Sequence, residues 1–294
     1  MRISTNYQYS AFQSDISSAQ QALFESSAQV SSGKRINRPS DDPFGTVRSV
    51  TMRSLQAGIK QYQDNLNTAK GQLGFGESTL SEMSTLTNRA YTLAVSGANG
   101  ATDQKGRDAM AAEIAQIQSR LIDLANTKDS SGGYLFAGQK ADVKPYTLAG
   151  TTLTYNGDSN SLKAEVGPGD MMTISTAGEP LISDLYNRLQ SLKDNLTGGT
   201  VSAISGTDIA NIQNSLDAIS DLRGGIGSKL KTIDDLSSQM TRRSDDLTTS
   251  ISDVEDVDIT EAMVKYQQAN QAYSAALTVA SQGFRLSLMD FIQG

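Results

Sequence analysis

The chain has 294 residues, with 25 Lys and Arg against 32 Asp and Glu, and it contains no His, Cys or Trp. Without His or Cys it cannot form a disulfide, a thiol nucleophile, a Ser-His-Asp triad or a His- or Cys-ligated zinc site. The net charge of −7 argues against a nucleic-acid partner, because such a partner requires a basic patch.

Apolar residues are spread thinly along the chain, and no window approaches the ~18–20 apolar residues of a membrane span. The first fifteen residues have no apolar run, so they do not form a cleaved signal peptide. We therefore expect no membrane partner, and a chain that either stays in the cytosol or leaves the cell without a cleaved signal.

The first predicted element is an amphipathic helix that ends at Gly33, a residue suited to the left-handed C′ position. Its apolar residues recur at alternating spacings of three and four, which is typical of coiled coils and helical bundles. Members of this stripe are Tyr9, Phe12, Ile16, Leu23 and Val30.

A helix-to-helix corner follows at residues 31–45, which read SSGKRINRPSDDPFG. Ser40 is the predicted N-cap of the next helix, and Pro43 is tolerated in the first turn of that helix. Such charged runs are usually solvated, but these residues could also form ion pairs across a contact between subunits. The charged residues in question are Arg35, Arg38, Asp41 and Asp42, with Lys34 beside them.

The same apolar spacing recurs over residues 44–130 and 181–254, which predicts a helical bundle. Turns are predicted at 96–100, 198–200 and 205–208, with Thr207 or Asp208 able to cap the following helix. Residues 131–180 differ. This range contains short segments rich in β-branched and aromatic residues and separated by glycine, a pattern that predicts β-strands.

The last predicted element is an amphipathic helix over residues 259–291, whose stripe contains Met263, Tyr266, Tyr273, Leu277, Phe284 and Phe291. Alone, such a helix buries too little apolar surface to offset the entropy of ordering its backbone. We therefore expect both terminal helices to be disordered in the monomer and to fold during assembly. The alternative is that both pack on the 44–254 bundle as ordinary core helices.

The predicted fold is mainly α: a long antiparallel helical bundle or coiled coil built from both chain ends, with a small β-rich insert. It divides into three parts. Residues 1–43 and 255–294 form an inner assembly domain of terminal helices, residues 44–130 and 181–254 form the helical bundle domain, and residues 131–180 form an outward β-rich insert.

Three segments of the sequence resemble the flagellin family. The corner at 31–45 is similar to the family's N-terminal signature, and its double-proline stretch at 39–43 is more like the hook–filament junction members than flagellin itself. GYLFAG at 133–138 is similar to a segment that opens their outer domain. SLMDFI at 287–292 resembles their C-terminal ending, with Met289 and Phe291 as departures.

The resemblance implies a structural subunit of the bacterial flagellum that joins hook to filament by axial assembly of its terminal helices, and not an enzyme. Its implied partners are its own copies in a ring, the first hook-associated protein on the hook side, flagellin on the filament side, and an export chaperone on the C-terminal helix. It implies an extracellular location, reached through the flagellar type III apparatus without a cleaved signal. The alternative within the family is flagellin, the bulk filament subunit.

Three other functions fit the sequence less well. A calcium site at Asp253, Glu255, Asp256 and Asp258 lacks the glycine and the ligand spacing of an EF-hand loop. A carboxylate glycosidase would have to fit in an insert of fifty residues. A membrane-surface helix at 259–291 would need a basic face, and this segment has only Lys265 and Arg285. No cofactor or metal is expected.

Overall fold

The computed structural model describes residues 5–175 and 178–292, without the side chains of residues 5, 6, 8 and 283–292. The chain is mainly α-helical with a small β-rich insert, which confirms the predicted fold class. The helices and strands are α1 (Thr5–Ser32), α2 (Pro43–Gly97), α3 (Gln104–Ala125), β1 (Tyr146–Ala149), β2 (Thr152–Tyr155), β3 (Lys163–Gly167), β4 (Asp170–Thr173), α4 (Leu181–Gly198), α5 (Val201–Ala203), a π-helix (Ile204–Asp208), α6 (Ile209–Glu255) and α7 (Ile259–Ile292).

The chain divides into two compact units. The terminal unit contains Met1–Gly58 and Arg243–Gly294, and the central unit contains Ile59–Arg242. The three-part division expected from the sequence stays a prediction.

The central unit is held together by a long apolar core to which helices α2, α3, α4 and α6 contribute. Buried residues recur every seven positions along α2 and along α6, so one side of each helix stays in the core over several turns. These repeats are Leu66, Leu73 and Leu80 on α2, and Ile219, Ile226 and Ile233 on α6. Exposed ion pairs such as Lys70 Nζ–Asp234 Oδ1, at 2.6 Å, connect the same two helices outside the core.

The insert consists of two antiparallel hairpins, β1–β2 and β3–β4. Ala149 pairs with Thr152, so the first hairpin turns on two residues, and Gly150 supplies the positive φ of 66° that such a turn requires. In the second hairpin Gly167 pairs with Asp170, and Gly169 has a φ of 78° after Pro168, as in a type II turn.

The turn at 198–200 is confirmed, because Gly199 ends α4 with a left-handed φ of 68°. The turn expected at 205–208 is wrong: residues Ile204–Asp208 form a π-helix that runs directly into α6. Asp208 is buried there, and its carboxylate accepts hydrogen bonds from Ser191 Oγ at 3.1 Å and Asn195 Nδ2 at 2.8 Å. Its side chain therefore binds α4 instead of capping α6.

Candidate assembly interface

The corner after α1 begins at Gly33, as the sequence predicts. The Gly33 N–H donates to the carbonyl of Gln29 at 2.9 Å, and Gly33 has a φ of 70°. A left-handed residue at this position satisfies a carbonyl at the end of the helix and reverses the chain.

Asp42, not Ser40, is the N-cap of α2. The Gly45 N–H donates to Asp42 Oδ1 at 2.8 Å, while Pro43 fills the first helical position. This backbone hydrogen bond, together with Arg35, holds the pKa of the Asp42 carboxyl below its usual value. Asp41 has a different task, because its Oδ2 accepts from the backbone N–H groups of Asn37 at 3.0 Å and Arg38 at 2.8 Å. The corner turn thus brings Asp42, two residues after Ser40, to the helix start.

Glu255, at the end of α6, binds the corner to the first part of α2. Arg53 donates Nη2 to Oε2 at 2.5 Å and Nε to Oε1 at 3.2 Å, and Lys34 Nζ lies 3.1 Å from Oε2. Glu255 is only 8% exposed. The hydrogen bonds from Arg53 outweigh burial and lower the pKa of this carboxyl to about 2.

The backbone of Glu255 continues the same connection. Its carbonyl accepts from the Arg35 N–H at 2.6 Å, and the Val257 N–H donates to the Gly33 carbonyl at 3.0 Å. Two short segments, 33–36 and 254–257, are therefore held side by side by main-chain as well as charged contacts. Sequence reasoning missed this cluster, because Glu255 and Arg53 are 202 positions apart and no local spacing relates them.

The structure uses three of the four charged corner residues within the chain. Arg35 donates Nη1 to Asp42 Oδ2 at 3.1 Å and Nη2 to the Val254 carbonyl at 2.7 Å. Asp41 closes the corner turn. Arg38 is exposed, and within the described part of the chain its guanidinium has no carboxylate within 4.0 Å. A role for these residues between subunits stays a prediction, and Arg38 is the one left available for it.

Helices α1 and α7 pack against each other. On α1 the predicted residues Phe12, Ile16, Leu23 and Val30 are half-buried, and Tyr9 is exposed. On α7 the covered side is lined by Ala262, Tyr266, Ala269, Tyr273, Ala276 and Ala280, again at spacings of four and three. Small alanines allow the two backbones to approach closely along this side.

Two predicted residues of α7 lie outside this covered stripe. Met263 is 41% exposed and Leu277 is 43% exposed, so each forms part of the surface of the terminal unit. Phe284 and Phe291 lie in α7, but their side chains are outside the described part of the structure. The interface assigned to these positions stays a prediction.

The terminal unit has few buried apolar side chains and many exposed ones. Its small cluster contains Met52, Ile251 and Val254, with Ile36 and Leu247 against it. By contrast, Phe44 is 89% exposed and Phe24 is 65% exposed, and most of the exposed large apolar residues of the described chain belong to this unit. Covering each such side chain is worth about 1.5–3 kcal/mol when burial is complete, so this surface favours association.

Two other kinds of feature, a carboxylate metal site and a membrane-spanning helix, can be compared with the described residues. Within 5–175 and 178–292, no group of three or more Asp and Glu residues is arranged to hold a metal ion. No helix in that part of the chain combines the length and apolarity needed to cross a membrane.

Two family models match the chain. The bacterial flagellin N-terminal helical region matches residues 3–141, and the bacterial flagellin C-terminal helical region matches residues 209–292. Together they cover well over half of the sequence.

Two relatives match in sequence over almost the whole chain, and a solved structure matches over about two thirds of it. Flagellar hook-associated protein 3 of Salmonella typhimurium is 28% identical and covers 94% of this chain and 95% of its own length. Flagellin of Listeria innocua is 24% identical and covers 96% of each chain. The crystal structure of Bacillus cereus FlgL superposes with a TM-score of 0.61 at 26% identity, over 69% of this chain and 99% of that one.

Proposed function

Because the chain belongs to the bacterial flagellin family, we propose that it is a structural subunit of the flagellum that joins the hook to the filament. The terminal helices carry out this assembly, and the role is mechanical. The observation that supports it best is the terminal unit itself, in which α1 pairs with α7 and leaves an apolar surface uncovered. A surface of this kind is stabilised only when neighbouring molecules cover it.

The choice between a junction protein and flagellin depends on which relatives are more similar in sequence. The hook-associated protein 3 of Salmonella typhimurium is more similar in sequence than the Listeria innocua flagellin, at nearly the same coverage. The Bacillus cereus FlgL structure supports the same choice, because the FlgL of Legionella pneumophila is described as a flagellar junction protein. The double-proline stretch at 39–43 is consistent with it, because this stretch resembles the junction members of the family more than flagellin. Flagellin, the bulk filament subunit, is the alternative.

The partners follow from this position in the flagellum. The chain contacts its own copies in a ring, the first hook-associated protein on the hook side, and flagellin on the filament side. An export chaperone binds the C-terminal helix before secretion, and the chain reaches the cell exterior through the flagellar type III apparatus without a cleaved signal. Residues 1–43 and 255–294 are the assembly domain in this proposal, and their contact residues are Tyr9, Phe12, Ile16, Leu23, Val30, Arg35, Arg38, Asp41, Asp42, Met263, Tyr266, Tyr273, Leu277, Phe284 and Phe291.

A deletion strain tests the proposal. Without this chain, cells are expected to make hooks that lack filaments and to release flagellin into the medium, and a plasmid copy should restore filaments. Electron microscopy and blotting of the culture medium measure both effects. Attached filaments in the deletion strain would refute a junction role. Bare hooks with no flagellin in cells or medium would instead identify this chain as the filament subunit.

A further inference from the structure

Glycine is confined to one short segment of each long helix in the central unit. In residues 59–96 of α2 it occurs three times, all within 71–76, and in α6 it occurs three times, all within 224–227. Both helices continue on either side of these segments. Glycine in the interior of a helix is unfavourable, because it loses more backbone entropy on folding than any other residue. The two segments therefore weaken both helices locally.

The two glycine segments lie side by side in the folded chain. Lys70 Nζ pairs with Asp234 Oδ1 at 2.6 Å, and Arg223 Nη2 pairs with Glu77 Oε1 at 2.6 Å. These two ion pairs bracket both glycine segments in the antiparallel pair formed by α2 and α6. We call the two segments together the glycine level.

The fold of a single chain does not require glycine at these positions. All six glycines lie in α-helix, and among the described residues a positive φ is found only at other glycines. At five of the six, an added Cβ would meet no side chain and no distant backbone atom of the described chain within 4 Å. These five, which we call the open glycines, are Gly71, Gly74, Gly224, Gly225 and Gly227. Alanine would therefore fit at each of them, and it would favour the helix over local unfolding by about fourfold per position.

On one side of the glycine level, α2 and α6 are joined by two more helices. Arg120 Nη2, shortly before the end of α3, pairs with Glu82 Oε1 of α2 at 2.7 Å. Leu181, the first residue of α4, lines a groove together with Leu222 of α6. Since α3 ends and α4 begins here, the four-helix part of the central unit ends close to the glycine level.

On the other side of the glycine level, the β-rich insert lies beside α2. Asn65 of α2 donates its Nδ2 to the Glu165 carbonyl of β3 at 2.8 Å. The apolar core runs through the level itself, where Leu73 and Ile226 are buried. Core packing therefore holds α2 and α6 together at a level where both helical backbones are weakened.

We propose that the glycine level is a bending joint within the central unit. The four-helix part tilts relative to the part beside the insert, through small backbone changes spread over the open glycines. Hinges in proteins consist of a few positions that absorb such changes, often at small residues. The buried core residues keep the two helices paired during the bend, while the open glycines place no side chain in its way.

The joint goes beyond the proposed function and does not depend on it. In a subunit that lies between hook and filament, such a joint lets each copy adjust its shape to its neighbours. The joint is nevertheless a property of the single chain, and it can be measured there.

Distances between two spin labels on the isolated full chain test the joint. Because the sequence has no cysteine, labels can be attached at Ser119→Cys on α3 and Ser238→Cys on α6, two exposed positions on opposite sides of the glycine level. Double electron–electron resonance should give a broad distance distribution in this chain. The distribution should become narrower in the five-alanine variant, in which every open glycine is replaced by alanine.

Hydrogen exchange provides a second measurement that needs no label. In the wild-type chain, amides at 71–76 and 224–227 should exchange faster than amides at 80–90 and 212–220 of the same two helices. In the five-alanine variant, exchange at the glycine level should slow by about fourfold or more. Equal protection of all four segments in the wild-type chain would contradict the joint.

The matched control is Gly58→Ala. Gly58 also lies inside α2 with no contact within 4 Å of an added Cβ among the described residues, but it is outside the glycine level. This substitution should leave the distance distribution unchanged. Equal narrowing by Gly58→Ala would overturn the joint, and so would an unchanged distribution in the five-alanine variant.

A different role for the open glycines has a distinct result. Loss of attached filaments in a five-alanine strain, without narrowing of the distribution, would assign these glycines to a contact with another molecule and would overturn the joint. The labels report on the isolated chain, so failure of the joint leaves the junction role of the chain intact. Failure of the junction role, measured in the deletion strain, likewise leaves the joint intact.

Discussion

Arg53 and Glu255 form a two-pronged ion pair between α2 and the end of α6, with Nη2–Oε2 at 2.5 Å and Nε–Oε1 at 3.2 Å. The same carboxylate binds Lys34 at 3.1 Å, and the same residue's carbonyl binds the Arg35 N–H. One residue therefore joins three segments of the terminal unit, the corner, α2 and α6, close to the point where α7 starts. The apolar cluster nearby is small, so these polar contacts add to the few apolar contacts that join the same segments.

Replacement of Glu255 by Gln should loosen this corner. Loss of the carboxylate leaves Arg53 and Lys34 without a charged partner, at a cost of about 1–3 kcal/mol, reduced by the partial exposure of both cations. Hydrogen exchange at the Arg35 and Ile36 N–H groups, which donate to the Glu255 carbonyl, measures the local effect. The control is Glu113→Gln, which removes an exposed pair with Arg89 and should change stability little. Equal effects of the two substitutions would contradict the assigned role of Glu255.

Acid should weaken the same corner, and the direction follows from the Glu255 pKa. The folded-state value of about 2 lies below the ordinary value of 4.5. The contribution of this carboxyl is therefore fully present above pH 4.5 and is lost as the pH falls from there toward 2. Thermal melts of the wild-type chain between pH 6 and 2.5 should show a decrease in this window that is smaller in Glu255→Gln. Parallel decreases in both chains would mean that other carboxyls dominate acid unfolding.

The helices α1 and α7 should exchange their amide hydrogens quickly in the isolated monomer. Their covered stripe consists of half-buried residues such as Ile16 and Tyr266, together with small alanines, and this buries little apolar surface per ordered residue. The core helices of the central unit, with Leu73 and Ile114 fully buried, should exchange slowly and serve as the internal reference. Mass spectrometry after deuterium labelling measures both regions. Strong protection of both terminal helices in the monomer would contradict folding on assembly.

Leu277→Asp should impair assembly without unfolding the monomer. Leu277 is 43% exposed on α7, so a carboxylate there meets water in the free chain but would be buried in a subunit contact. We expect unchanged circular dichroism and a large loss of attached filaments by electron microscopy. Leu148→Asp, at a residue of similar exposure in the β-rich insert, is the matched control and should leave filaments attached. Normal filaments in the Leu277→Asp strain would exclude this residue from the interface.

Elements whose causes are local could be predicted from the amino-acid order alone. The 3,4 and seven-residue spacings of Leu66, Leu73 and Leu80 define a buried side of α2 wherever that helix lies, because side-chain direction along a helix repeats with a fixed period. Gly33 and Gly199 end their helices because positive φ is accessible to glycine without a Cβ penalty.

Which of several chemically similar residues come into contact depends on the fold of the whole chain. Ser40 and Asp42 are both good N-caps, and only the folded corner brings the Asp42 carboxylate to the start of α2. Seven carboxylates occur between residues 244 and 264, and only Glu255 lies where Arg53 and Lys34 can reach it. Met263 and Leu277 match the apolar period of α7, but α1 covers the alanine-rich stripe beside them. The period of a helix shows which residues lie on the same side of it. Which of two neighbouring sides is covered depends on where a second helix packs, and that position depends on the whole chain.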